Sequence, residues 1–575
     1  MTGEPRQVPF RMADRLFAEL AAGGGSPEAV DFLERGERAR RLLLLRTLLD
    51  RLGSLPTPLT PAPEAWRVLK DAAEQAPGPV DGLLLSPAVG GWIAHLLRRL
   101  HGTAEGPPLW AEAGYLSSLA ISAALLAGTE ADLLVPLTDG TLYLPGLGLA
   151  RLAGVETGVS VGRARAGGGE LTLERRGGTA KAEDPAVPVT ISPATAPLTG
   201  KDPLPTELSP SWLPLRTLVH STPVGPVAVP LDDLDPYRDL DDPLPPARLD
   251  QAEAEAWQRL FEEAAVVLAD PGGNGPGRLD PALIRAVVPW GRTSSRPPAP
   301  STVRVSASSG DAFGAMVIAR PSSAVALAET LVHEFQHSKL AALLHLFPLI
   351  DDDREERYYA PWRADPRHLT GLLHGAYAFT GVAGFWRDRL ARAADAGAAE
   401  AAGYHFALRR LQSRLVVRTL LTSGRLTTQG RALVTGLART LDGWLREPVP
   451  PAALRRARTA AALHRTEWRL RNVVPGMGSA YATDGLCFRP DRTIWPDVRT
   501  QVFVTRPPAP RTADEHLAAE DPAGALSRYA DALADDPVEP HALAGWMVAR
   551  AMLEPGRVAR RMLARPELLK PLPSR

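Results

Sequence analysis

The chain has 575 residues, 45% hydrophobic and 23% charged, an ordinary globular composition with a soft expectation of three to four domains. Lys plus Arg and Asp plus Glu both number 65, so no global basic field invites nucleic acid or an anionic membrane surface. The single cysteine, Cys487, excludes an intrachain disulfide framework and a cysteine-rich zinc or iron–sulfur site.

Residues 10–104 read as helices. "MADRLFAELAAG" and "AVDFLERGERARRLLLLRTLLDRL" place apolar residues three and four apart, with a glycine break at 23–25 between them. "VGGWIAHLLRRLHG" continues the pattern, and "YLSSLAISAALLAG" (115–128) reads as a buried helix. These make an N-terminal helical region, 1–130. Its start has no basic stretch followed by an apolar one, and no run of about 18 apolar residues follows anywhere. Neither a signal peptide nor a membrane span is expected, and the expected location is cytoplasmic.

From 131 the pattern changes. "DLLVPLTDGTLYLPGLG" turns at Asp139-Gly140, and "GVSVGRARAGGGELTLERRGG" holds two strands about a glycine-rich turn. "VPVTISP", "LRTLVHS" and "GPVAVPL" extend a β-rich, Pro- and Gly-containing segment over 131–246. A helix follows at 247–270. Two short strands, "VRVSAS" and "GAMVIA", precede a long helix, and 397–475 is a series of amphipathic helices, so 247–505 is expected to be the catalytic, metal-binding unit. Pro507, Pro508 and Pro510 mark a linker. Residues 511–575 have the helix–Asp-Pro–helix rhythm of a tetratricopeptide-like hairpin. The expected class is α+β, predominantly helical.

The long helix carries the chemistry. In "AETLVHEFQHSKLAALLHLF" (328–347), His333 and His337 lie four apart, leave one face, and can reach one ion. Ser322 or Ser323 can cap its start and Pro348 stops it. A third ligand is required for a catalytic metal. His374, in the apolar helix "TGLLHGAYAFTGVAGFW", is the choice, since Gly375 and Gly381 permit close approach of the two helices. His345 and His368 are expected to be structural, and Glu355 and Glu356 are held in reserve. The H-E-x-x-H-x-x-G-x-x-H extension of one peptidase class is absent, because Leu340 and Leu343 occupy those positions. Ser306, Ser308, Ser309 and Gly310 leave room for a substrate, and Arg363, in "YYAPWRADPR", suits a bidentate grip on a carboxylate.

"LVHEFQHSKLAALL", "YYAPWRADPR" and "GLLHGAYAFTGVAGFW", in this order, resemble the HExxH-motif peptide-modification proteins, the α-ketoglutarate-dependent HExxH-type peptide β-hydroxylases. "LDDLDPYRDL" and "AGALSRYADALADDPVEPHALAGW" are similar to that family as well. The resemblance implies Fe(II), 2-oxoglutarate and O2. It implies iron held by His333 and His337, with His374 placed by the helix argument, and Glu334 as an acid or orienting group. An arginine would grip the C5 carboxylate of 2-oxoglutarate, Arg363 before Arg320, with Tyr359 as a further cofactor contact. No CxxxCxxC cluster is present, so a precursor peptide is the implied substrate and a radical-SAM peptide-modifying enzyme would be a separate partner. The alternatives are a zinc metallopeptidase with Glu334 as general base, and a non-enzymatic scaffold.

Overall fold

A computed structural model describes residues 11–152, 157–176, 189–192, 198–199, 211–222, 225–240, 242–269, 273–290, 305–352, 354–473 and 499–569; Cys487 lies outside them. Helices α1 (Asp14–Ala21), α2 (Pro27–Leu52), α3 (Ala62–Gln75), α4 (Pro77–Leu84), α5 (Pro87–Leu100), α6 (Leu109–Ala113) and α7 (Tyr115–Ala127) come first. Two sheets follow. One is antiparallel: β1 (Ala131–Thr138), β2 (Thr141–Leu144), β3 (Gly148–Arg151), β4 (Val159–Gly167), β5 (Glu170–Arg175), β6 (Val189–Ile191) and, after β7 (Leu198–Thr199) of the other sheet, β8 (Trp212–Pro214). Its order is β6-β5-β4-β1-β2-β3-β8.

Local chemistry explains its turns. Asp139 and Gly140 have φ of 49° and 70°, and Gly168 and Gly169 have 59° and 79°. Two successive positive φ values match the right-handed twist of the flanking strands. Thr138 thereby faces Thr141, and Gly167 faces Glu170. Both hairpins stand where the turn residues predict them.

The second sheet runs β12-β13-β11-β10-β9-β7, with β9 (Arg216–Thr222), β10 (Gly225–Leu231), β11 (Ala286–Pro289), β12 (Ser306–Ala307) and β13 (Ala315–Ile318). β10, β11 and β13 are parallel, and β12 is antiparallel to β13. Around it lie α8 (Gln251–Ala269), α9 (Ala324–Leu346), α10 (Leu369–Ala391), α11 (Ala396–Thr422) and α12 (Thr428–Trp444). Next come α13 (Pro451–Asn472), α14 (Ala513–Ala518), α15 (Pro522–Asp535), α16 (Pro540–Leu553) and α17 (Arg557–Ala564). The chain is thus α+β and mostly helical.

The cores divide the chain differently from the expected boundaries. Leu45, Leu48 and Leu52 of α2 pack with α3–α7 and the antiparallel sheet, so 1–130 and 131–246 share one core. Leu16, Leu20, Val30 and Leu33 instead join the core of α8–α12. The break falls inside α2, whose two halves bury apolar residues against different neighbours, a division that periodicity within one helix does not reveal. The strands β9 and β10 also belong to the second core, through Leu218, Val229 and Leu231. Helices α14–α17 pack on α11 and α13 through Tyr404, Leu408, Leu463 and Met547 rather than standing alone. The stretch Leu109–Ala127 is apolar and long enough to cross a membrane, where no such run was expected, but 72% of it is buried inside the molecule.

Helix α10 lies against α9 and the 273–279 turn because its glycines let it. A Cβ on Gly381 would enter the Gln336 side chain of α9, and one on Gly384 would strike the Pro276 carbonyl. A Gly375 Cβ would meet Trp362, not α9, so that glycine serves the loop and not the helix approach. Gly384→Ala collides with backbone and is expected to cost about 1–3 kcal/mol, more than Gly381→Ala, whose obstacle is a movable side chain; chemical denaturation of both variants checks the order.

His541 ties the C-terminal hairpin down. Its Nδ1 is 2.8 Å from Glu467 of α13 and its Nε2 is 3.0 Å from Asp514. Burial works against its charge, but the two carboxylates outweigh that and hold its pKa up at about 9. The folded pKa lies above the usual 6.5, so this stabilisation is full below that value and is lost as pH rises through about 9. It amounts to something on the order of 3 kcal/mol. Hydrogen exchange of α16 amides, corrected for intrinsic rate, should lose protection between these pH values in the native chain and stay flat in His541→Ala.

Candidate active site

Helix α9 begins at Ser323, whose hydroxyl accepts from the Ala326 N–H at 3.3 Å, and its C-cap, Phe347, immediately precedes Pro348. Between these ends it is buried nearly all round: Glu334, Gln336, Ser338 and Lys339 are as inaccessible as its leucines. Three of its inward polar side chains bond the backbone, while Gln336 Oε1 and Glu334 Oε2 find no hydrogen-bond partner among the described residues. Gln336 Nε2 donates to the Gly23 carbonyl at 2.8 Å, Lys339 Nζ to the Gly24 carbonyl at 2.8 Å, and the Ser338 hydroxyl accepts from the Gly314 N–H at 3.3 Å. The remaining face, with His333 and His337, opens on a cavity of about 1130 Å³.

The two Nε2 atoms are 3.1 Å apart. That distance suits an N–H···N hydrogen bond between neutral imidazoles. It is also the separation of adjacent nitrogens each about 2.1 Å from one ion. Phe379 stands edge-on to His333, with centroids 4.8 Å apart, and holds that ring. His374 of α10 lines the same cavity, its ring centroid 5.6 Å from that of His337. Burial, with a contribution from neighbouring positive groups at His333 and His374, keeps all three in the neutral, ligating form: His333 well below the usual range, His337 down at about 4 and His374 at about 3. As the side chains stand, no group of three His, Cys, Asp or Glu among the described residues is arranged to hold an ion. The His333–His337 pair offers two nitrogen donors close enough for one ion, and His374 stands nearby without joining them as a third donor.

Glu334 lines the cavity beside them, its Oε1 4.0 Å from His333 Nε2. Burial raises its pKa to about 7, against the pull of the Ser306 and Ser308 hydroxyls. Its Oε2 is buried without a hydrogen-bond partner. A carboxyl poised near neutrality can give or take a proton.

The cavity wall is rich in arginine. Among the described residues Arg320, Arg354, Arg363, Arg367 and Arg409 line it, against two carboxylates, Glu329 and Glu334. Arg363 Nε donates to Asp365 at 2.8 Å, which orients its guanidinium. Its loop is closed by reciprocal backbone bonds of 2.9 Å between Tyr358 and Arg367 and tied to α11 by Gln412, which donates to the Pro361 carbonyl at 2.7 Å. Arg320, at the end of β13, is exposed at the mouth.

Tyr359 does not belong to this site. Its hydroxyl is 2.8 Å from His464 Nδ1, its ring packs edge-on against Trp468, and it does not line the cavity. The next aromatic, Trp362, faces inward instead and stacks near Phe379 at 4.7 Å. Loop spacing carries no period that separates these two. His345 pairs with Glu37 at 2.6 Å, and His368, at the start of α10, has its Nδ1 2.7 Å from Asp352 and also lines the cavity. Glu355 and Glu356 stay off the cavity wall. Arg409 was not foreseen: its guanidinium lies 4.5 Å from the Phe379 ring centroid, and within the amphipathic run of α11 nothing distinguishes it from its neighbour Arg410.

No family model matches this sequence, and no curated protein matches it. His333→Ala and His337→Ala are each expected to weaken zinc or cobalt binding by at least about a hundredfold, the loss that even an outer supporting residue reaches. Tyr359→Phe should leave it unchanged. Calorimetric titration of the three variants tests the assignment.

Proposed function

We propose that this chain is an Fe(II)- and 2-oxoglutarate-dependent β-hydroxylase acting on a residue of a ribosomally synthesised peptide. One observation carries the reading: a neutral imidazole pair, its nitrogens 3.1 Å apart, opens on an arginine-lined cavity of about 1130 Å³. That volume exceeds the roughly 300–1,000 Å³ typical of pockets for one small ligand. It leaves space for a dicarboxylate and a peptide side chain together.

In this reading His333 and His337 hold the metal, with His374 as the third donor. Arg363, already aimed by Asp365, grips the distal carboxylate of 2-oxoglutarate, and Arg320 is next in line. Once bound, iron with 2-oxoglutarate and oxygen supplies the oxidising power to replace a C–H bond by C–OH. The protein's part is positional. Phe379 and Trp362 exclude water beside the His pair, and Glu334, half-protonated near neutrality, orients a polar group of the substrate through a hydrogen bond. A precursor peptide is the substrate and a radical-SAM peptide-modifying enzyme a candidate partner, with the cytoplasm as the place of action.

A second reading keeps one specific support. Glu334, raised to about 7 beside a His pair, suits the general base of a zinc peptidase. The two readings separate at one residue. Glu334→Gln should lower a peptidase rate by about 10²–10⁴-fold, whereas a hydroxylase should keep most of its turnover and shift in KM.

The decisive test is anaerobic reconstitution with Fe(II), then addition of oxygen, 2-oxoglutarate and candidate precursor peptides. Succinate release matched by one added oxygen atom in the peptide is the expected result. Zinc-dependent peptide cleavage with no use of 2-oxoglutarate overturns it.

A further inference from the structure

The second sheet ends at an open edge inside the cavity. β12 pairs with β13 on one side, Ser306 opposite Ile318 and Ala307 opposite Val317, and among the described residues no strand lies on its other side. The same register sets Val305 opposite Ala319, whose N–H donates to the Val305 carbonyl at 2.9 Å. Along an antiparallel ladder, residues that bond the partner strand alternate with residues that turn both main-chain groups away. Val305 and Ala307 therefore bond β13, and Ser306 turns its N–H and C=O to the open side. Ile318 agrees, since its carbonyl accepts from the Trp290 N–H at 2.9 Å, away from β12.

Ser306, Ala307 and Ser308 line the cavity that holds His333 and His337. An open edge is a template for another strand, and proteins normally blunt such edges by shortness, charge, proline or a bulge; β12 is short, two residues, and has none of the others. The stretch Val305–Ser308 carries no charge and no proline. Its side chains are small, which leaves the backbone approachable. The charge of the wall adds a preference: five arginines, of which Arg363 and Arg367 share Asp365, face two glutamates among the described residues.

We infer that the substrate is an acidic peptide bound in extended form as an added strand on β12, held by main-chain hydrogen bonds to Ser306 and by the arginines of the wall. This rests on the reading of the site as peptide-modifying. Strand addition takes its affinity from the peptide backbone and its specificity from alternate side chains. With a side-chain period of two, the residue presented to the His pair has neighbours that point away from it.

The test uses the full chain without 2-oxoglutarate, so that no turnover occurs, and fluorescein-labelled decapeptide pools. A pool rich in Asp and Glu should bind more tightly than its Asn/Gln counterpart, and a Lys-rich pool least. Main-chain N-methylation is then scanned through the best acidic binder. Losses of about tenfold at every second residue, with the intervening positions tolerant, are the expected result. Ser306→Pro removes the outward N–H at a position where an edge strand tolerates proline and should weaken binding similarly. If Ser306→Pro fails to fold, the N-methyl scan on the native chain decides alone. Equal affinity for the three pools, or N-methyl losses without alternation, overturns the inference. Alternating losses in a chain that never hydroxylates leave it standing and remove the hydroxylase reading. Hydroxylation of a peptide that shows no alternation does the reverse.

Discussion

A helix buried on nearly every side must find a partner for each inward polar group, and in α9 that requirement fixes everything near the site. Gln336 and Lys339 donate to the adjacent Gly23 and Gly24 carbonyls, and Ser338 accepts from the Gly314 N–H of another segment. Rotating α9 by one residue would strand several of these at once, and an unmatched buried polar group costs roughly 1–3 kcal/mol. The observed rotation makes these three bonds and turns His333 and His337 to the cavity. The placement of the His pair thus comes from residues on the other faces of α9, which do not line the cavity.

The same logic sorts what was legible in the sequence. The histidine pair, its N-cap and the two tight hairpins were readable because each depends on residues within a few positions of one another. The arginine loop was readable as a unit, but the direction of its members was not. Tyr359 finds His464 more than a hundred positions onward, and Trp362 finds Gly375 and Phe379. Which of the two faces the cavity is decided by α13, and no local pattern reports it. Arg409 was hidden for a related reason: it matters because α11 lies beside Phe379 of α10, a neighbour fixed only by the tertiary fold.

The site joins two surfaces of different character. On α9 and α10 it offers side chains of defined chemistry: imidazoles kept neutral, a carboxyl near its midpoint, an aromatic pair. On the sheet it offers backbone, flanked by serine and alanine. Such a division suits a catalyst that must act on one residue of a chain while accepting varied neighbours. The antiparallel unit of α3–α7 and β1–β6 has its own core and, among the described residues, supplies none to the cavity wall. It meets the second sheet through α2 and the buried 232–238 turn, where Tyr115 donates to Asp235 at 2.8 Å.

The end of α1 deserves a last consequence. The carbonyls of Leu20, Ala22, Gly23 and Gly24 are taken up by Tyr377, Thr440, Gln336 and Lys339, from three helices that lie more than three hundred positions later in the chain. Contacts so distant in sequence form only after a large loop has closed, and loop closure is what slows folding. While the chain is being synthesised, the α1 end must wait for its donors, which arrive with α9, α10 and α12. The rotation that aims the histidines is therefore set only when α9 closes on a segment synthesised long before it. The direction of the His pair is thus fixed by long-range contacts of the fold and not by local structure alone.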